Sequence, residues 1–155
     1  MARDFFSGRH AGLLVPLFSI PSRESWGIGE LGDLPRLGRW MADAGFSFLQ
    51  LLPINEMAEG QNSPYSAMSA MAIDPIYISP ASVPDIASLG GESMLTAGER
   101  AKLAKARASK FIDYSAVRTV KRRAFRVAFE RFVCCAIPAE NHRWRHSTKK
   151  ICFTR

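Results

Sequence analysis

Residues 11–20, Ala-Gly-Leu-Leu-Val-Pro-Leu-Phe-Ser-Ile, are apolar almost throughout and bounded by Gly12 and Pro21. A short run of this kind predicts a strand buried on both faces, as in a parallel sheet. Pro16 cannot donate to a ladder, so a bulge or a strand end is expected there. Residues 21–33 are rich in Pro, Ser and Gly and read as a loop. Asp33 is placed to cap a helix, and Pro35 is tolerated in its first turn. Leu34, Leu37, Met41 and Ala44 then follow at spacings of 3, 4 and 3, which is one helical face, and Gly45 is the expected stop. Residues 46–54, Phe-Ser-Phe-Leu-Gln-Leu-Leu-Pro-Ile, return to a strand pattern. Strand, crossover helix and strand make one βαβ unit of a parallel sheet.

The pattern then breaks. Pro64, Pro75, Pro80, Pro84, Gly90 and Gly91 interrupt residues 55–94. So long a stretch without its own period is usually functional or disordered. Its content of Tyr65, Met68, Met71 and Tyr77 predicts a packed, functional loop. Thr96 and Glu99 form a capping box ahead of helix formers that run to about Lys110. Asp113 or Ser115 can cap a further helix with Val117, Val120, Ala124 and Val127 on one face, widened by Phe125, Phe129 and Phe132. From Cys134 onward neither period is present. The expected organisation is therefore a folded portion over 1–133 and a divergent basic tail over 134–155 that is not part of the fold.

Charge changes this picture only when it is divided. Residues 1–99 hold 5 Lys and Arg against 11 Asp and Glu, a net of −6, whereas residues 100–155 hold 16 against 3, a net of +13. Such asymmetry can mark a nucleic-acid-binding half, or a basic half whose balancing neighbours lie elsewhere. The 47% hydrophobic and 23% charged composition fits a globular chain, and no apolar run is long enough to span a bilayer. The opening Met1-Ala-Arg-Asp-Phe-Phe has no charged-then-apolar leader, so secretion is not expected. Cys134, Cys135 and Cys152 are odd in number and sit in the last 22 residues, which does not suit a disulfide framework; a cytoplasmic setting is expected.

Candidate chemistry concentrates in Asn62-Ser63-Pro64-Tyr65-Ser66-Ala67-Met68-Ser69-Ala70-Met71-Ala72-Ile73-Asp74-Pro75-Ile76-Tyr77, which follows the second strand. Sugar hydroxyls need donors and acceptors such as Asn62, Ser63 and Asp74, and the C–H face of a sugar can lie on a ring such as Tyr65. Each has a plainer reading beside this one. Tyr65 could anchor the loop, and Asp74 before Pro75 could be a turn residue.

Five segments together resemble a known family. They are Gly12-Leu-Leu-Val-Pro-Leu-Phe-Ser-Ile-Pro, Trp26-Gly-Ile-Gly-Glu-Leu-Gly-Asp, Leu49-Gln-Leu-Leu-Pro-Ile, Asn62-Ser-Pro-Tyr-Ser-Ala-Met-Ser-Ala and Asp74-Pro-Ile-Tyr-Ile. In this order they resemble the N-terminus of the 4-α-glucanotransferases, the amylomaltase or disproportionating-enzyme family, glycoside hydrolase family 77. The resemblance thins through 95–133 and fails in the tail. It implies an α/β fold: the N-terminal part of a (β/α)8 TIM barrel, incomplete in this chain, with the first βαβ unit plus an inserted loop and helices. It implies transfer of α-1,4-glucan segments between maltooligosaccharides or starch and acceptor sugars, with retention of configuration by two carboxyl groups.

In the family those carboxylates lie beyond this chain, so no catalytic residue is expected here and the chain alone is expected to be inactive. The motif around Ser63 and Tyr65 is what the resemblance carries over as glucan-binding; Asp74 completes the expected substrate-binding residues as a candidate read from the residues themselves, and no cofactor is implied. The turn Glu59-Gly60-Gln61-Asn62 departs from a common Gly-Tyr-Gly-Asp, and Asp74 stands where Asn is common.

The remaining features read plainly. Trp26 and Trp40 are expected to pack. The cysteines with His142 and His146 lack zinc-ligand spacing, so no metal is expected. Glu56 and Glu59 are three apart, as surface carboxylates often are. The basic helix over 118–131 reads as a solvated face. The expected partner is a maltooligosaccharide or starch-type glucan, with no membrane. The alternative is a basic nucleic-acid-binding protein using the C-terminal half; it rests on charge alone, without a recognised motif.

Overall fold

The structure is a computed structural model that describes residues 8–58, 60–61 and 63–136. The chain divides into two units at Ser79 and Pro80. In the first unit, β1 (Gly12–Val15) pairs in parallel with β2 (Phe48–Leu51), Gly12 opposite Phe48 and Val15 opposite Leu51. Parallel strands cannot be joined by a tight turn, and the crossover is helix α1 (Leu34–Asp43). The expected βαβ unit is therefore present. The ladder extends at both ends, where Ser47 N–H donates to Ala11 O at 2.8 Å and Leu52 N–H to Val15 O at 3.2 Å.

β1 is shorter than the apolar run. Pro16 ends it, and the chain turns through a 3-10 helix at Leu17–Ser19. Nor is the strand enclosed on both faces. With two strands in the sheet, Leu14 and Phe48 stay exposed. α1 ends as expected at Gly45, whose φ of +82° carries the chain toward β2. Leu34 and Leu37 are half-buried and Met41 is buried, but Ala44 is exposed. Trp40, expected to pack, is also exposed and lies 6.2 Å from the Phe46 ring.

The loop before α1 bonds largely to itself. Glu30 is 2% exposed, and its Oε1 accepts from Trp26 N–H at 2.8 Å. The Asp33 carboxylate accepts from Glu30 N–H at 2.7 Å and from the Ser25 hydroxyl at 3.0 Å. Asp33 thus faces backward and makes no side-chain cap bond to α1, which corrects the expected cap. Gly29 lies against the Leu17–Ser19 turn, and its N–H donates to Phe18 O at 3.2 Å. A Cβ at Gly29 would stand 1.9 Å from Leu17 O.

The second unit holds α2 (Pro84–Ser88), α3 (Ala97–Ala108) and α4 (Tyr114–Ala136). α2 and α3 both pack on α4. The Thr96–Glu99 capping box forms at α3, and Asp113 is the residue that caps α4, its Oδ1 accepting from Ala116 N–H at 2.9 Å. The buried face of α4 is Val117, Val120, Lys121, Ala124 and Ala128. Phe125 and Val127 are half-buried, whereas Phe129 and Phe132 are exposed, so the phenylalanines do not widen that face as expected.

Ion pairs among the described residues offset part of the charge asymmetry. Arg107 pairs with Glu92, Arg123 with Glu99 at 3.3 Å and Arg131 with Asp85 at 3.2 Å. Dividing the chain at residue 99 separates these acids from bases that they meet in the fold. α4 runs through Cys134 to Ala136. Residues 137–155 of the expected tail, with His142, His146 and Cys152, lie outside the described residues.

Two glycines should respond oppositely to alanine. Gly29→Ala must push the Leu17 carbonyl away and should cost roughly 2–4 kcal/mol. Gly38 lies inside α1 with nothing within 4 Å of an added Cβ, so Gly38→Ala should gain about 0.5–1 kcal/mol. Urea midpoints of the two variants check both signs.

A pH dependence follows from the α3 cap. The Thr96 backbone N–H and then its hydroxyl hold the Glu99 carboxyl below its ordinary value of 4.5; burial opposes them, and Arg123 and Lys102 add to the lowering. The unfolded chain therefore binds this proton more readily. The stability it contributes is present above pH 4.5 and is lost as pH falls through the folded-state value. Unfolding curves of wild type and Glu99→Gln should differ at neutral pH and converge in acid.

Candidate functional site

The candidate site is the loop that leaves β2 and returns at Asp74. Its two limbs are tied by backbone. Asp74 N–H donates to Ile54 O at 2.9 Å, Glu56 N–H to Ala72 O at 2.9 Å, and Met68 N–H to Glu56 O at 2.8 Å. Isolated antiparallel bridges join Asn55 to Ile73 and Met57 to Ala67. These bonds make an ordered loop of a segment that has no sequence period. The expected packing holds for one of its four residues. Tyr77 is buried, but Tyr65, Met68 and Met71 project into solvent, Met71 at 95% exposure.

The three sequence-predicted residues separate into two kinds. Ser63 and Tyr65 share one tight turn, closed by Ser66 N–H donating to Ser63 O at 3.0 Å. Ser63 Oγ accepts from Tyr65 N–H at 3.4 Å. Pro64 between them fixes its own φ and biases Ser63 toward extended backbone. The Tyr65 ring is 73% exposed, so its face and hydroxyl are open to a ligand.

Asp74 is 0% exposed. Its Oδ1 accepts from Ile76 N–H at 3.0 Å and its Oδ2 from Met57 N–H at 3.4 Å. It caps the 3-10 turn Pro75–Tyr77, and its carboxylate is enclosed by backbone donors.

One residue of consequence was missed. Asn55 Nδ2 donates to Ala70 O at 2.9 Å and to Ala72 O at 3.4 Å across the loop. Nothing in the sequence pairs residue 55 with residues 70 and 72, because the contact depends on where the loop turns back. Glu56 is half-buried, while its proposed neighbour Glu59 and the candidate Asn62 lie outside the described residues. Among the described residues no group of three or more His, Cys, Asp or Glu is placed to hold a metal ion, and no helix is long and apolar enough to cross a membrane.

The family model described as 4-alpha-glucanotransferase matches residues 15–150, a span that contains the whole loop. The chain belongs to this family. A 4-alpha-glucanotransferase of Chlamydia pneumoniae is 45% identical over 75 residues, covering 48% of this chain and 14% of that protein. The 4-alpha-glucanotransferase DPE2 of Oryza sativa subsp. japonica is 31% identical over 164 aligned positions, covering 95% of this chain and 16% of that protein. A 4-alpha-glucanotransferase of Mycobacterium tuberculosis is 35% identical over 97 residues, covering 56% and 13%. The chain thus spans about one seventh of the length of the relatives it matches. The nucleic-acid alternative gains no support from these comparisons.

The exposure of this 4-α-glucanotransferase loop can be read chemically. Dilute peroxide should oxidise Met71 and Met68 well before Met41 and Met57, which are buried. Peptide mass spectrometry over a time course checks the order; equal rates would show that the loop is not displayed in this way.

Proposed function

We propose that this chain is the N-terminal portion of a (β/α)8 barrel enzyme that transfers α-1,4-glucan segments from maltooligosaccharides or starch to acceptor sugars. Its part in the reaction is to hold glucan. The observation that supports this most directly is the Ser63-Pro64-Tyr65 turn, displayed on an ordered loop that begins where a parallel strand ends. In a barrel that end of the strands is the working face. Ser63 offers a hydroxyl, and Tyr65 offers both a ring face for sugar C–H groups and a hydroxyl. Asp74 serves the same substrate-binding loop from within.

The two carboxyl groups needed for retaining transfer come, in this reading, from residues outside the chain. The substrate is a neutral polysaccharide, so shape, stacking and hydroxyl bonding carry recognition. A cytoplasmic setting rests on the sequence alone.

Tyr65→Ala in the full-length enzyme tests the reading. A stacking contact that strengthens as the sugar distorts should lower kcat about ten-fold while KM changes less. The ring is exposed, so stability should move by no more than about 0.5 kcal/mol. Wild-type turnover accompanied by a large loss of stability would identify Tyr65 as a structural anchor and overturn the proposal.

A further inference from the structure

Two side chains grip the loop across its base, one from each limb. Asn55, on the outgoing limb, donates its side-chain amide to the carbonyls of Ala70 and Ala72 on the returning limb, at 2.9 and 3.4 Å. Asp74, at the end of the returning limb, accepts the Met57 N–H of the outgoing limb at 3.4 Å and the Ile76 N–H beyond it at 3.0 Å.

The need for this arrangement lies in the register. Between the two bridges the outgoing limb runs only from Asn55 to Met57, while the returning limb runs from Ala67 to Ile73. A regular backbone ladder cannot span limbs so unequal in length, and carbonyls on the longer limb must find donors elsewhere. The Asn55 amide supplies one to Ala70 O and adds a second, longer bond to Ala72 O, which already accepts the Glu56 N–H. Met57, which Asp74 holds, is buried and is bridged to Ala67, two residues past Tyr65. A short path of fixed backbone therefore runs from the Asp74 carboxylate to the turn that carries the ring.

We propose that Asn55 and Asp74 form a reciprocal clasp and act as positioning residues, setting where the Tyr65 ring meets the glucan. The inference rests on the glucan-binding reading of Tyr65. It assigns Asp74 a role through the loop instead of a sugar contact, since its carboxylate is enclosed. A ring moved by about 1 Å can cost on the order of 100-fold in rate even when the substrate still binds.

The test uses the full-length enzyme with maltotriose and compares Tyr65→Ala, Asp74→Ala, Asp74→Asn, Asn55→Ala and the double variant of Tyr65→Ala with Asp74→Ala. Asp74→Ala should lower kcat several-fold, up to the roughly ten-fold loss of Tyr65→Ala, with KM within about three-fold of wild type. Asp74→Asn keeps an acceptor for the Ile76 N–H and should recover most of the loss. The double variant should be no slower than Tyr65→Ala alone, because the clasp acts through the ring. Should Asp74→Ala fail to fold, Asn55→Ala on the more exposed side of the clasp carries the same comparison. Losses that multiply in the double variant, or wild-type turnover in the clasp variants, would overturn the clasp while leaving the Tyr65 reading intact. Wild-type turnover in Tyr65→Ala would remove both.

Discussion

The parallel pairing of Gly12–Val15 with Phe48–Leu51 constrains everything else in the first unit. Two strands that run the same way need a connection that returns the chain to its starting end. Here α1 provides it, which obliges the preceding loop to turn sharply and the helix to stop on time. Glu30, Asp33, Ser25 and the close approach at Gly29 meet the first demand, and Gly45 meets the second. The same pairing decides that the chain leaves β2 at its C-terminal end. The loop with Ser63 and Tyr65 is displayed there as a consequence.

The second unit is stabilised differently. Its helices α3 and α4 carry 10 of the chain's 21 Lys and Arg, and acids at 85, 92 and 99 meet arginines on them. Such surface pairs contribute little each, about 0–1 kcal/mol. Their importance here is interpretive, because a charge imbalance that looked like a nucleic-acid surface is partly balanced within the unit. Burial of Val117, Val120, Ala124 and Ala128 along α4 supplies the apolar contact on which α2 and α3 rest.

Much of this was legible in the residues. Local signals were the most dependable: the Thr96 and Glu99 box, Asp113 before α4, Gly45 after α1 and the strand-ending Pro16 all act within a few positions of themselves. Readings that depended on which apolar surface becomes covered were weaker. Phe129 and Phe132 share a helical stripe with Phe125 rather than with Val117 and Val120, and period alone cannot say which stripe is covered. Asp33 was read as a cap because of its place before a helix, but Glu30 and Ser25 lie close enough to take its carboxylate first. In the site, Ser63 and Tyr65 were found by motif. Asp74 was named, but its burial could not be read from a linear order, and Asn55 gave no signal because its partners are 15 and 17 residues away.

The account stands on the claim that the Ser63–Tyr65 turn is a glucan-binding surface braced from beneath. A crystal structure of the full-length enzyme with a bound maltooligosaccharide measures that directly. The account predicts a glucose ring lying on Tyr65, with Ser63 Oγ within hydrogen-bond distance of a sugar hydroxyl and Asp74 still bonded to the Met57 and Ile76 N–H groups. A sugar chain that passes through the working face without touching residues 63–65, or one that bonds directly to the Asp74 carboxylate, would contradict it.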